Sequence, residues 1–311
     1  MQQFPQSMMP FDVLRNVAQS IQFNSEERII DTLSNAMRYF ESRRIAQGKS
    51  DHQKGYVNAL RKLQAFIIGD NEKAPFVVFA EKGNSKLPTF VAFSSLPGVT
   101  CPGAGDCLNF CYSFRAWRMT EAFARQAQNA YILRFRPQLI VTALDSLMRK
   151  KKFRSGFDLR LYVDGDFSSV SDFALWQGIL KDHPTIRAYG YSKSFAEIMA
   201  YADSGASFAS NYVLNVSSGH SHSEDTVKRI EALPITRGAF VAVTLPRGYR
   251  TGRSVDHGNP EHRKIIQSAT KANTSTAKAF ACPGQCNTCT SSGHACGSMK
   301  FKGITIGIAV H

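Results

Sequence analysis

Residues 158–192, "DLRLYVDGDFSSVSDFALWQGILKDHPTIRAYGYS", hold a strand-like run, a helix-like run and a second strand-like run. The two outer runs, 158–165 and 186–192, are short and rich in apolar and aromatic residues. Between them, the apolar residues recur at the three- and four-residue spacing of a helix. A strand, a helix and a strand in succession predict a βαβ unit, whose two strands lie parallel in one sheet.

The same alternation extends on both sides of this stretch. Further strand-like runs lie at 76–80, 89–94, 212–218, 239–245 and 304–310, with helical stretches between most of them. Several of these runs are almost continuously apolar, which is typical of strands buried on both faces. Five or six βα units predict an α/β fold built as a complete or partial parallel (β/α) barrel.

Segments of different character flank and interrupt these units. Apolar residues at helical spacing predict two helices, 25–47 and 51–68, which would form an N-terminal helical hairpin. We therefore predict a helical region over 1–70 and a barrel-like domain over 71–311, which includes a Cys-rich segment at 281–298. Residues 246–280 are polar and basic, and they predict a long surface excursion.

Composition limits the class of protein and of partner. The chain has 311 residues, 43% hydrophobic and 20% charged, which is typical of a soluble globular protein. It has no apolar run long enough to span a bilayer, and its N-terminus lacks a secretory signal. We expect no membrane partner and a cytoplasmic location, where thiols stay reduced.

The net charge of +14 favours a polyanionic partner, DNA or RNA. The alternative is an ordinary enzyme whose basic residues form a solvated surface. The candidate nucleic-acid-binding residues on the hairpin and in the excursion are Arg43, Arg44, Lys54, Arg247, Arg250, Arg253, Arg263 and Lys264.

The cysteines form two groups. Cys101, Cys107 and Cys111 lie on one loop, and three thiolates can hold a [4Fe–4S] cluster with one open iron, or a catalytic zinc. The second group can hold a closed [4Fe–4S] cluster or a structural zinc; it consists of Cys282, Cys286, Cys289 and Cys296. Buried free cysteines are the alternative, which the confinement of all seven to two loops disfavours.

Polar residues follow two predicted strands at the end where barrel enzymes place their active sites. Asp164 and Asp166 lie at the end of the run 158–165, and Tyr191 and Lys193 lie at the end of the run 186–192. These four residues are the candidate catalytic and pocket residues. Alternatively, Asp166 or a neighbouring serine caps the helix that follows.

The stretch "GNSKLPTFVAFSSLPGVTCPGAGDCLNFCYSFRAW", 83–117, resembles the phage and plasmid "gene product 88" family. Matching positions include Asn84, Lys86, Leu87, Thr100, Cys101, Pro102, Gly103, Cys111 and Tyr112. The strand end at 164–167, the run 191–194 and the C-terminal cysteines also resemble that family. The resemblance implies an origin on a mobile element.

A looser similarity is to radical S-adenosylmethionine enzymes, which also carry three cysteines after the first barrel strand. Here five and three residues separate those cysteines, where the enzymes usually have three and two. The similarity implies S-adenosylmethionine as a cofactor of the open cluster, and an auxiliary cluster near the C-terminus.

Three hypotheses follow. The first is an iron–sulfur enzyme with its open iron at the barrel mouth. The second is a metal-stabilised DNA- or RNA-binding protein that acts in plasmid or phage replication or regulation. The third is a metal-dependent nuclease that uses Asp164 and Asp166.

Overall fold

A computed structural model describes residues 4–48, 50–69, 73–82, 90–245, 259–274, 278–284, 286, 289–290 and 293–309. The chain divides into two compact units. Unit 1 comprises Met1–Phe79, Ser94–Thr100 and Tyr112–Leu147, and unit 2 comprises Ala80–Phe93, Cys101–Cys111 and Met148–His311. Arg247, Arg250 and Arg253, with the residues 84–87 of the family resemblance, lie outside the described residues.

Unit 1 is helical. Its helices are α1 (Pro10–Phe23), α2 (Glu26–Ala46), α3 (Asp51–Ile68), α4 (Thr120–Phe135) and α5 (Gln138–Met148). The structure contains both helices of the predicted hairpin, α2 and α3, and they pack against each other. Ile29, Leu33 and Phe40 of α2 are fully buried, as their helical spacing requires. Helix α1, which the sequence analysis did not predict, packs against α2.

Unit 2 is built on a seven-stranded parallel sheet, which confirms the α/β class. The strands are β1 (Val91–Ala92), β2 (Asp158–Leu161), β3 (Arg187–Ser192), β4 (Tyr212–Ser217), β5 (Thr236–Val243), β6 (Ala279–Ala281) and β7 (Thr305–Ala309). Their order in the sheet is β1-β2-β3-β4-β5-β7-β6.

The first five strands lie side by side in chain order, which is the winding that successive βα units give in a barrel. Strand β7 then inserts between β5 and β6. Within the described ranges, β1 and β6 are the two edges and do not pair with each other. The sheet is therefore open, and closure into a complete barrel is not observed.

Within its described residues, unit 2 also contains the helices α6 (Val170–Asp182), α7 (Phe195–Asp203), α8 (Glu224–Ala232) and α9 (Pro260–Asn273). Side-chain caps begin three of them. The oxygens of Ser169, Ser223 and Asn259 accept hydrogen bonds from the backbone N–H groups of Asp172, Thr226 and Glu261. These bonds satisfy donors that the first helical turn leaves free. The helix after Asp166 is thus capped by Ser169.

Alternating residues of the central strands face different neighbours, as the period of two in a strand requires. Tyr212 of β4 packs against Phe173 of α6, with ring centroids 6.2 Å apart. The next residue, Val213, packs in a cluster with Tyr189 and Cys296. The sheet therefore carries a helix on one face and the Cys-rich segment on the other, and both faces are buried.

Two sequence-based predictions are wrong. Residues 76–80 form no strand, because side chains of α4 occupy the backbone groups: Phe76 exchanges two hydrogen bonds with Gln128, and Val78 O accepts from Asn129. Only Ala80 pairs, in an antiparallel bridge with Ala92. The polar segment 246–280 is not all surface excursion either, since it contains α9 with a fully buried Ile266, and β6.

None of the helices in the described part of the chain combines the length and the apolar character that crossing a membrane requires.

Candidate functional site

The first cysteine loop, residues 101–111, follows β1 and includes a 3-10 helix at Asp106–Phe110. It is fixed to the segment that follows β4 by backbone hydrogen bonds. The N–H groups of Gly105 and Cys107 donate to Gly219 O (3.0 and 3.2 Å), and Ser221 N donates to Gly103 O (3.1 Å). Because β2 and β3 lie between β1 and β4, the loop crosses the carboxyl edge of the sheet.

Glycines allow this close contact. A Cβ on Gly103 would lie 1.7 Å from Lys193 O, and a Cβ on Gly219 would lie 2.9 Å from Cys107 Cβ. Gly219 also has φ +74°, a conformation that other residues rarely adopt. The glycines near the cysteines therefore bring the loop against the ends of β3 and β4.

Asp166 and Lys193 meet beneath this loop. The buried carboxylate of Asp166 accepts hydrogen bonds from Phe167 N (2.8 Å), Ser192 Oγ (2.8 Å) and Lys193 N (2.6 Å). Burial raises the pKa of Asp166, and the bond from Lys193 N is the largest opposing effect. The ammonium of Lys193 donates to Ser217 Oγ at 2.9 Å. Asp166 thus ties the end of β2 to the end of β3, and Lys193 reaches β4.

The Lys193 ammonium also acts on the cysteine loop. Burial raises the pKa of Cys107, while the charge of Lys193 lowers it. Cys111 lies close enough to Cys107 to raise the same pKa. Two predicted strand-end residues, Asp166 and Lys193, are therefore brought together with the first cysteine group. Asp164, which precedes Asp166 closely in the chain, is half-buried.

His220 and His222 also pack next to this loop. The ring of Phe195 stacks on His222 at 4.8 Å and contacts His220 at 4.9 Å. His222 Nε2 lies 2.7 Å from Lys193 O, and His222 N donates to His220 Nδ1. Burial lowers the pKa of His220. These contacts give both histidines a role in packing.

The second cysteine group, Cys282, Cys286, Cys289 and Cys296, packs on the opposite face of the sheet from α6. Cys296 is buried with Phe90, Tyr189 and Ile306, and the other three cysteines pack against that cluster. Cys289 Sγ accepts a hydrogen bond from Ala295 N at 3.3 Å. Backbone N–H groups directed at sulfur are a recurrent feature of thiolate metal sites.

Tyr191 packs next to the second cysteine group and does not face the first cysteine loop. Its ring lies 4.3 Å from the ring of Phe240 and 4.9 Å from the guanidinium carbon of Arg160. It also interacts with Cys296. His294 packs on Phe90, and its Nδ1 accepts a hydrogen bond from Gly297 N at 3.1 Å.

Asn215 is a structural residue of this group that the sequence analysis did not select as a site residue. Its Nδ2 donates to Gly190 O (3.0 Å) and to Cys296 O (2.9 Å). An asparagine inside an otherwise apolar strand, "YVLNVS", was the available signal, because a buried amide needs several partners.

None of the seven cysteines, all of which lie in the described residues, forms a disulfide bond. In the part of the chain that the structure describes, no three Cys, His, Asp or Glu side chains are arranged to hold a metal ion as they stand. Cysteine thiolates are preferred ligands of zinc and of iron–sulfur clusters, so the residue types of each group suit a thiolate-bound metal.

The predicted nucleic-acid-binding residues differ in their surroundings. Arg43 lies over the ring of Tyr39 at 5.7 Å, and Arg44 makes a two-bond ion pair with Glu41 (2.9 and 2.6 Å). Lys54 on α3, and Arg263 and Lys264 on α9, are exposed. The two arginines of α2 are thus already engaged within unit 1.

The fold and these surroundings define an α/β protein with a parallel sheet that is open within the described residues, and with two groups of cysteines. One group lies at the carboxyl edge of the sheet and the other on one face. The chain belongs to the gene product 88 family, whose family model matches residues 65–295. No match was found among curated proteins or among solved structures, and the looser similarity to radical S-adenosylmethionine enzymes gains no support from these comparisons.

Proposed function

We propose that the chain is an iron–sulfur enzyme in which Cys101, Cys107 and Cys111 hold a [4Fe–4S] cluster with one open iron. The observation that carries this proposal is the path of the first cysteine loop across the carboxyl edge of the sheet. Ligands of open parallel α/β sheets bind at that edge. A cluster held by three thiolates offers its fourth iron to an external ligand and supplies single-electron chemistry.

In this proposal the side chains around the first cysteine group bind the ligand or hold one another in place. The Lys193 ammonium, held by Ser217, provides a positive charge for an anionic group of the ligand. Asp166 holds the backbone of Lys193 in place. Leu108 and Phe110, exposed on the loop, provide an apolar rim. S-adenosylmethionine is one candidate ligand, since its carboxylate suits the Lys193 ammonium.

The second group would hold a closed cluster, or a structural zinc, with all four of its cysteines. Four thiolates saturate a tetrahedral zinc and equally fill a [4Fe–4S] cluster. Its packing in the buried cluster with Tyr189 and Ile306 favours a structural duty for this metal.

Anaerobic purification followed by iron, sulfide and zinc analysis tests the proposal. We expect a brown protein with about eight irons if both groups hold [4Fe–4S] clusters, and about four if the second holds zinc. Replacing Cys101, Cys107 and Cys111 together by alanine should remove about four irons and leave the second metal in place. A colourless protein that carries only zinc would refute the iron–sulfur proposal.

Nucleic-acid binding is a second candidate function, favoured by the net charge of +14 and by exposed Lys54, Arg263 and Lys264. Phosphate contacts release counterions, so binding should weaken steeply as salt rises. A filter-binding titration of DNA and RNA at two salt concentrations tests it. Failure to bind at low salt would exclude this function.

The nuclease hypothesis needs Asp164 and Asp166 as metal ligands. Both oxygens of Asp166 already accept hydrogen bonds from Phe167, Ser192 and Lys193, which disfavours that duty. Incubation of plasmid DNA with the protein and Mg²⁺ or Mn²⁺ tests it directly, and we expect the DNA to remain intact.

A further inference from the structure

Arg237 is a fully buried cation whose hydrogen-bond partners, among the described residues, are all neutral groups. Its Nε donates to Asn215 Oδ1 at 2.6 Å. Its terminal nitrogens donate to the backbone carbonyls of Gly238 (3.2 Å), Ala239 (2.9 Å), Phe301 (3.5 Å) and Ile304. No salt bridge joins Arg237 to an Asp or Glu in the described ranges.

Such an arrangement is unusual for a buried charge. Removing a guanidinium from water is costly, and hydrogen bonds to neutral groups replace the lost hydration only in part. Buried arginines are therefore normally paired with an anion. The surroundings of Arg237 satisfy its N–H groups but leave its positive charge without a counter-ion among the Asp and Glu side chains that the structure describes.

The second cysteine group is linked to Arg237 through Asn215. Asn215, which accepts from Arg237, donates its own amide to Cys296 O at 2.9 Å. Cys296 and Tyr191 would stabilise the charge of Arg237 if they were ionised, and burial raises the pKa of both groups. One side chain thus links the guanidinium to the backbone of the most deeply buried cysteine.

Four thiolates around a metal carry the complementary charge. Four negative sulfurs around a zinc ion, or around an oxidised [4Fe–4S] core, leave a net charge of about −2. Four protonated thiols would leave no negative charge at all. The buried cation is therefore matched by the metal-loaded state of the group and unmatched by the thiol state.

We infer that Arg237 is the counter-charge of an anionic metal centre held by the second cysteine group, and so a positioning residue for that centre. The inference rests on the proposed function only in that this group binds a metal. It adds that the metal centre carries a net negative charge and that Arg237 balances this charge. Asn215 links Arg237 to the backbone of Cys296, because it forms a hydrogen bond with each residue.

The test isolates the second group. In a background with Cys101, Cys107 and Cys111 replaced by alanine, Arg237→Met and Arg237→Lys are compared with the unmodified background. Arg187→Met is the matched control, because Arg187 also lies on a strand of this sheet, with its side chain exposed and paired with Asp158. Metal affinity is measured by chelator competition, and stability with and without metal by denaturant titration.

We expect Arg237→Met to lower metal affinity by about 10- to 100-fold, the range for residues that support metal ligands. Arg237→Lys should retain most of the affinity, and Arg187→Met all of it. The extra stability that metal confers should shrink in Arg237→Met alone. If the metal is an iron–sulfur cluster, its reduction potential should fall, since a lost positive charge disfavours an added electron.

If the background protein holds no metal at the second group, the metal proposal for that group fails. If it holds metal, and Arg237→Met keeps the affinity of the background, the metal proposal stands and the inference about Arg237 is wrong. If Arg237→Met does not fold, Arg237→Gln, which keeps N–H donors without the charge, takes its place with the same expected loss.

Discussion

The two cysteine groups use the same side chain in different surroundings. The first lies on a loop at the sheet edge, half-buried, next to exposed Leu108 and Phe110. The second packs against a core cluster that includes the buried Cys296, while its other three cysteines are half-buried like those of the first group. The loop is held by backbone hydrogen bonds and close glycine contacts, and the second group by side-chain packing. The difference predicts that loss of the first group changes what the protein binds, whereas loss of the second changes how well it folds.

Each group also has its own cation. Lys193 acts on Cys107 and is held by a serine hydroxyl. Arg237 is buried and held by an amide and four backbone carbonyls. A lysine is a compact charge on a flexible stem, whereas the guanidinium is a fixed fork. The first cysteine group therefore has a flexible cation beside it, and the second cysteine group has a rigid one.

Replacing one cysteine in each group should give the largest contrast. Cys296→Ser leaves a buried hydroxyl and an incomplete metal site, and we expect it to lower the free energy of unfolding by about 3–5 kcal/mol. Cys111→Ser should lower it by less than about 1 kcal/mol while removing the first metal. Urea denaturation with metal analysis measures both. Equal losses of stability in the two variants would contradict the predicted difference between the two cysteine groups.

Removing the carboxylate beneath the first loop should be the next largest effect. Asp166→Ala leaves three N–H or O–H donors unsatisfied, at a cost of about 3 kcal/mol. We expect the first metal to be lost and the second retained. Asp158→Ala, which removes only a surface ion pair with Arg187, should cost about 0.5 kcal/mol. Retention of the first metal in Asp166→Ala would show that Lys193 needs no such support.

A methyl group added in either region should act locally. Gly103→Ala places a Cβ 1.7 Å from Lys193 O, and Gly297→Ala places one 2.0 Å from the His294 ring. Each should cost about 1–3 kcal/mol and weaken only the metal of its own group. Gly178→Ala, on α6 with open space around it, should be stabilising by about 0.5–1 kcal/mol. Thermal unfolding and metal content distinguish the three, and loss of both metals from one variant would show that the groups are coupled.

Neutralising Lys193 should give the smallest effect. Lys193→Met removes a partly screened charge near Cys107, and we expect about a tenfold loss of affinity for an anionic ligand at the first group. Lys193→Arg should retain most of it. Isothermal titration calorimetry of the metal-loaded protein with S-adenosylmethionine measures the change. Unchanged affinity in Lys193→Met would assign ligand binding to other residues.

The sequence predicts local features well and distant contacts poorly. The apolar runs that became β2, β3, β4 and β7 were recognisable because a buried strand carries its own pattern. Strand β6 has three residues, too few for a pattern. The run at 76–80 was misread because side chains of Gln128 and Asn129, about fifty positions away, take up its backbone groups.

Some features of the candidate site were also visible in the sequence, and others were not. Grouping of the cysteines and the strand-end positions of Asp166 and Lys193 was visible in the sequence. Tyr191 was assigned to the wrong neighbourhood, although strand alternation already separates it from Ser192, which bonds Asp166. The contact between the first loop and the segment after β4 joins residues 118 positions apart, which no local pattern encodes.

That long-range contact has a consequence for biosynthesis. Gly103 and Cys107 find their partners only when residues 219–221 have left the ribosome, so the first three cysteines emerge long before their surroundings exist. Until then the thiols stand on an unsupported segment, open to oxidation or to capture of a stray metal. If the two cysteine groups hold metal as proposed, their loading would therefore be a late event in the maturation of the chain.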